Sequence, residues 1–213
     1  MRLVIISDTH LCEPELPDGD VLIHCGDILS SGQGYELTLQ AHYWMEELGE
    51  QFKYFLFVPG NHDICFEKDI KWCGLHLRHA NVDILIDKEI VIDGVKFYGS
   101  PWQPDFFDWA FNLPRGDALK AKWDLIPPDT DVLITHGPPH SILDYSIHDK
   151  VNVGCEDLYK RVMDLRPKLH CFGHIHGSYG RTEYVGDVHT VFVNASICDE
   201  EYNPVNAPIV EDI

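Results

Sequence analysis

The chain has 213 residues, 45% of them hydrophobic, which is enough for one domain with a sizeable core and short of two ordinary ones. Lys and Arg total 16 against 35 Asp and Glu, a formal charge of −19, which disfavours tight binding to long nucleic acid by counterion release. No apolar string approaches the ~18 residues that span a bilayer, Asp8 arrives too early for a signal peptide, and the seven cysteines form no CxxC pair, so a reduced, cytoplasmic protein without membrane contact is expected.

Residues 3–6 form an apolar run that reads as a strand, and Asp8-Thr9-His10 follow it. A second run, 21–24, leads into Gly26-Asp27. Leu37, Ala41, Trp44 and Leu48 then fall on one helical face, with Met45 beside them. A third strand, 54–58, ends in Gly60-Asn61-His62-Asp63. Residues 89–92 and 95–98 flank Asp93-Gly94, a strong two-residue hairpin signal. Residues 100–128 are rich in proline and are expected to form an ordered loop and a short helix, with Trp102, Trp109 and Trp123 packed beneath the loop. Within it, Asn112 and Arg115 are candidate substrate contacts, because a loop arginine could grip a phosphate through two parallel hydrogen bonds. Plain turn chemistry at Pro114-Arg115-Gly116 explains the same residues equally well.

A fourth strand, 132–135, ends in His136-Gly137, and the stiff Pro138-Pro139 pair then places His140 as either a pocket residue or a solvent-facing loop histidine. Leu158, Val162 and Leu165 mark a helix that Arg166-Pro167 stops. The fifth strand, 169–172, delivers Gly173-His174-Ile175-His176, and strands at 189–193 and 209–210 complete the chain. Strands separated by helices at the start and joined by hairpins later predict two mixed sheets, packed together with helices outside, in one domain over 1–213.

One Asp-x-His after a strand is ordinary core or surface sequence. Five such clusters in sequence, four of them behind apolar runs, are hard to explain by packing, because strands that end in ligand-type residues deliver them to one sheet edge. Carboxylate, imidazole and amide donors suit manganese, iron or zinc, and tolerate nickel or cobalt; soft sites would want thiolates. Shared out simply, Asp8, His10 and His176 hold one ion, Asn61, His136 and His174 hold another, and Asp27 bridges them. Ions bridged in this way lie roughly 3.5–4 Å apart and clamp both oxygens of a phosphoryl displacement. His62 is left over, placed to protonate a leaving oxygen.

Together these motifs resemble the calcineurin-like metallophosphoesterases. Ser100-Pro101-Trp102, residues 111–116, Thr135-His136-Gly137-Pro138-Pro139 and residues 166–170 further resemble the branch of metallophosphoesterase-domain-containing proteins, which includes cyclic-nucleotide phosphodiesterases. The resemblance covers nearly the whole chain and implies a four-layer α/β/β/α sandwich with a dinuclear site at the sheet edge. It implies Asp8, His10, Asp27 and His176 on one ion, Asp27, Asn61, His136 and His174 on the other, manganese as the expected metal, and His62 as the leaving-group acid. The family's protein phosphatases carry an Asp-Arg pair just beyond the Gly-Asp cluster, where Ser30-Ser31 stand in this chain. Without that arginine a monoester dianion is poorly held, so a small phosphodiester such as a cyclic nucleotide is the expected substrate. A phosphomonoesterase or pyrophosphatase on the same site, or a metal-poor binding scaffold, are the alternatives.

Overall fold

In a computed structural model the described residues are 1–30, 35–185 and 189–213, with backbone alone for 35–37 and 185. The elements run β1 (Arg2–Ile6), β2 (Val21–His24), α1 (Tyr35–Gln51), β3 (Tyr54–Phe57), α2 (Ile64–Lys68), α3 (Ile70–His76), β4 (Asp83–Ile84), β5 (Lys88–Ile92) and β6 (Val95–Ser100). They continue with β7 (Gln103–Pro104), β8 (Asn112–Leu113), α4 (Asp117–Trp123), β9 (Val132–Thr135), β10 (Tyr145–Ser146), β11 (Val151–Asn152), α5 (Glu156–Leu165), β12 (Leu169–Phe172), β13 (Gly180–Val185), β14 (His189–Asn194) and β15 (Ile209–Asp212).

Two large sheets carry the fold, ordered β15-β1-β2-β3-β4 and β13-β14-β12-β9-β6-β5. Within the first, β1 to β4 are parallel and β15 is antiparallel to β1. Within the second, β14, β12, β9 and β6 are parallel, with antiparallel β13 and β5 at the edges. Both sheets are therefore mixed, as expected.

The ligand-bearing strands are continuous apolar runs because both of their faces are covered. Leu3 and Ile5 of β1 pack with Ile23, Leu56, Val132, Ile134 and Val193 between the two sheets. Their neighbours Val4 and Ile6 point the opposite way, against Ala41, Trp44, Met45 and Leu48 of α1. The side chain of Leu37 lies outside the described residues. On the far face of the second sheet, Leu133, Phe172 and Phe192 pack against Leu119 and Trp123 of α4 and Leu158 and Val162 of α5. The layers are α/β/β/α, and each fully buried Leu or Ile contributes about 1.5–3 kcal/mol relative to exposure.

Asp93 (φ 49°) and Gly94 (φ 85°) join β5 to β6 in the left-handed region that a two-residue hairpin needs. Helix α5 ends at Leu165 with Arg166 in a left-handed cap before Pro167. The stretch 100–128 contains α4, plus a parallel two-residue pair, β7 with β8, that periodicity could not reveal. No described helix is long and apolar enough to cross a membrane.

A candidate dinuclear metal centre

Strands β1, β2 and β3 run parallel, as do β9 and β12, so the loops leaving their carboxyl ends converge on one edge, the usual ligand-binding edge of an open α/β sheet. There the structure brings together two groups whose ligand atoms lie within 4.8 Å of one another: Asp8, His10 and His176, and Asp27, His136 and His174. Among the described residues these are the two such groups. Asn61 Oδ1 lies 2.8 Å from His136 Nε2, joining the second group. Asp8, His10, Asp27 and His174 all adopt positive φ, between 46° and 68°. Aspartate and histidine tolerate that region better than most residues, and it turns each side chain sharply inward off its strand.

The second partners of the imidazoles fix which nitrogen faces the centre. His10 Nδ1 donates to the Leu29 carbonyl (3.0 Å), His136 Nδ1 to Cys25 (2.9 Å) and His176 Nδ1 to Asp199 (2.8 Å). A carbonyl only accepts, so each ring carries its proton on Nδ1 and turns an Nε2 lone pair inward, the arrangement of a metal-ligating histidine. His10 Nε2 and His176 Nε2 then stand 3.2 Å apart. His136 Nε2 lies 3.2 Å from Asp27 Oδ2, and buried Asp8 Oδ1 has no hydrogen-bond partner among the described residues, with His176 Nε2 3.3 Å away. Acceptors gathered this closely need cations between them. Without an ion, protons serve: burial opposes them, but Asp27 lifts the pKa of His136 to about 9, and Asp8 does the same for His176. Burial lowers His174 to about 3 and lowers His10 as well, so those rings stay neutral. Burial also works against charge on Asp8, yet its contacts with His176 and the nearby imidazoles hold it well below the carboxylate range. The donor set fits two divalent ions.

The carboxylates are aimed from behind. Asp8 Oδ2 accepts from the His174 N–H and the Ser196 hydroxyl, both at 2.9 Å. Asp63, fully buried, accepts from the backbone N–H groups of Asp27, Leu29 and Gly60 at 2.7–3.0 Å, tying the loop after β2 to the loop after β3. Close packing finishes the job at two glycines. A Cβ on Gly60 would lie 2.3 Å from Asp27 Oδ1 and 2.6 Å from His136 Cε1, and one on Gly173 would lie 2.0 Å from Asp8 Oδ2.

His62 touches both groups, its ring meeting His10 of the first edge-on at 4.9 Å and its backbone bonding to Asp27 of the second. Its backbone N–H donates to Asp27 Oδ1 at 2.7 Å, while its ring Nδ1 donates to the Ser30 carbonyl, so that Nε2 is the nitrogen left for a substrate among the described contacts. Ser31 lies outside the described residues. Trp109, expected only to pack beneath a loop, stacks on the His62 ring at 4.2 Å. Tyr202 meets His10 edge-on at 4.7 Å and His176 at 5.4 Å. Sequence reasoning missed Trp109, Tyr202, Ser196 and the role of Asp63; only Asp63 had a signal, its place in the Gly60-Asn61-His62-Asp63 motif.

A cavity of about 600 Å³ opens from the cage between Phe106, Arg115, His148, His174, Glu200 and Tyr202. Arg115 reaches it, though its guanidinium donates to the Val153 and Gly154 carbonyls and to Glu156. Asn112 stands behind the rim: its Nδ2 donates to the carbonyls of Phe106 and Phe107, both at 3.0 Å. His140 is outside the cavity lining, with Nδ1 3.6 Å from Asp144 and its backbone N–H donating to Cys155.

Comparison with known proteins places this geometry in context. The family model described as calcineurin-like phosphoesterase matches residues 1–178. Metallophosphoesterase domain-containing protein 1 of Homo sapiens is 40% identical over 236 residues, covering 100% of this chain and 71% of the relative. A UPF0046 protein of Caenorhabditis elegans is 35% identical, covering 100% of this chain and 60% of the relative. The structure of a phosphopantetheinyl hydrolase from Mycobacterium tuberculosis superimposes with a TM-score of 0.62 at 14% identity, over 94% of this chain and 90% of that one, which is a likeness of fold.

Proposed function

The chain belongs to the calcineurin-like phosphoesterases, a family of metal-dependent phosphoester hydrolases, and on that premise we propose that it hydrolyses small phosphodiesters, cyclic nucleotides among them. Asp8, His10 and His176 hold one ion, Asn61, His136 and His174 the other, and Asp27 lies between, with manganese the preferred pair. Bound there, two divalent ions supply a Lewis-acidic clamp for the phosphoryl group and an activated water.

The chain's own residues do the rest. Ser30 and Trp109 hold the His62 ring, so that Nε2 can carry a proton to the departing oxygen. The observation that carries the diester reading is the scarcity of free positive charge beyond the cage. Among the described cavity residues Arg115 is the one guanidinium, and three of its five N–H donors go to two carbonyls and to Glu156. A diester monoanion needs no further cation, whereas a monoester dianion does. Seven cysteines present as free thiols suit a reducing, cytoplasmic setting.

The test compares p-nitrophenyl phosphate with methyl p-nitrophenyl phosphate, then 2′,3′- and 3′,5′-cyclic nucleotides, in manganese, nickel, cobalt or zinc. The diesters should be preferred in kcat/KM by at least tenfold. A faster monoester would overturn the reading, and less than about one ion per chain after manganese loading would point to a scaffold.

A further inference from the structure

The cavity that opens from the cage has features that the phosphoryl chemistry does not require. Phe107 is 82% exposed and Phe106 45%, and their rings meet edge-on at 4.6 Å. Phe106 also meets His174 edge-on at 5.9 Å, so this pair stands beside the second ligand group, while Tyr202 stands beside the first. Water-exposed aromatic rings bordering a buried polar cage are costly to keep. Both Phe107 (φ 49°) and Tyr202 (φ 63°) hold left-handed backbone conformations, which bulky side chains avoid. The Asn112 amide clamps the first by binding the Phe106 and Phe107 carbonyls, and the Tyr202 N–H is tied to the Asp199 carbonyl. Strain at two aromatic residues facing one cavity marks a feature kept for a ligand.

Carboxylates outnumber cations in the rest of the lining. Asp105, Asp149 and Glu200 face the cavity, and the basic groups there are engaged: His148 pairs with Glu200 at 3.0 Å and Arg115 with Glu156. Unpaired positive charge would therefore come chiefly from the ions, which suffices for one phosphate.

We propose, building on the diesterase reading, that this cavity is a nucleoside or aryl subsite restricted to substrates with a single phosphate. Phe106, Phe107 and Tyr202 stack on the planar group, and Asp105, Asp149 and Glu200 repel a second phosphate. Stacking of this kind tolerates any base, because every base presents a π face.

Three diesters with one leaving group test the proposal on the manganese-loaded enzyme: methyl p-nitrophenyl phosphate, thymidine 5′-(p-nitrophenyl phosphate), and the latter carrying a 3′-phosphate. The thymidine ester should exceed the methyl ester in kcat/KM by about tenfold or more, and the 3′-phosphate should remove at least tenfold. Phe107→Ala should bring the thymidine-to-methyl ratio close to one and Phe107→Tyr should restore it. Asp105→Asn, Asp149→Asn and Glu200→Gln together should shrink the 3′-phosphate penalty at least threefold. A wild-type ratio near one, a ratio indifferent to Phe107→Ala, or a 3′-phosphate penalty that the charge-neutral triple variant retains would overturn the subsite while hydrolysis of the diesters still upholds the diesterase. No turnover of any of the three, with p-nitrophenyl phosphate cleaved, overturns both.

Discussion

Replacing His62 by alanine separates its two attachments to the site. The ring is held by the Ser30 carbonyl and by Trp109, whereas Asp27 is held by the His62 backbone N–H, which alanine keeps. The cage should therefore survive, and the variant should bind as many ions as the wild type. Loss of the ring stack costs about 0.5–1.5 kcal/mol, lowering Tm by roughly 1–6 °C for a chain of this size. Catalysis should suffer selectively. A positioned general acid is worth roughly 10²–10⁴-fold, or about 2.7–5.5 kcal/mol of barrier at ~1.36 kcal/mol per decade. That loss should appear with 3′,5′-cyclic AMP, whose ribose oxygen leaves badly without a proton. Thymidine 5′-(p-nitrophenyl phosphate) should lose less than about tenfold, because its phenolate departs unaided. Steady-state kcat/KM on both substrates, with metal content by mass spectrometry, decides the matter. Equal losses with the ions retained would refute the proton-donor role, and loss of the ions would refute the assignment of the cage.

Asp27→Asn should lose metal and activity together, since an amide cannot supply the shared charge; two bound ions with full turnover would reject the bridge. Gly173→Ala drives a methyl group to 2.0 Å from Asp8 Oδ2 and 2.1 Å from Ser7 Oγ. Overpacking of about 1–3 kcal/mol plus a displaced charged hydrogen bond of about 1.5–3 kcal/mol predict a Tm at least ~5 °C lower and a metal-poor protein, checked by calorimetry. The pKa values near 9 of His136 and His176 lie above the ordinary ~6.5, so both rings are protonated at neutral pH in the metal-free protein. Their stabilisation is fully present below about pH 6.5 and fades as pH rises through about 9. Manganese binding near neutral pH should release about two protons and strengthen with rising pH, readable by titration calorimetry in buffers of different ionisation enthalpy; uptake of protons, or none exchanged, would contradict the ligand set.

Much of this site could be read along the chain because the ligands are local to strands. An apolar run such as Val132 to Thr135 and the histidine that follows it are neighbours in sequence and in space. The hairpin at Asp93-Gly94 and the end of α5 at Arg166-Pro167 were legible for the same reason: the residue that makes the turn is the one that breaks the pattern. What remained hidden arises across distance. Trp109 reaches His62 over 47 positions, and no periodicity in residues 100–128 records which ring it will meet. Tyr202 stands beside His10 across nearly the whole chain. Ser30 acts through its carbonyl, which every residue possesses, so its side chain carried no signal. Asn112 was legible as a candidate, but its amide turns towards the backbone of residues 106 and 107.

The two close-packed glycines bear on how the metal centre comes into being. Gly60 leaves a strand of the first sheet and receives His136 from the second, and Gly173 leaves the second sheet and receives Asp8 from the first. Neither seat exists until the sheets have docked, so a half-folded chain offers an ion only scattered side chains. Metal would thus arrive last, as cargo for a finished vessel, unlike the small zinc domains that an ion must nucleate. A cell short of the metal would then accumulate folded, waiting protein instead of debris, and activity could follow the metal supply without new synthesis.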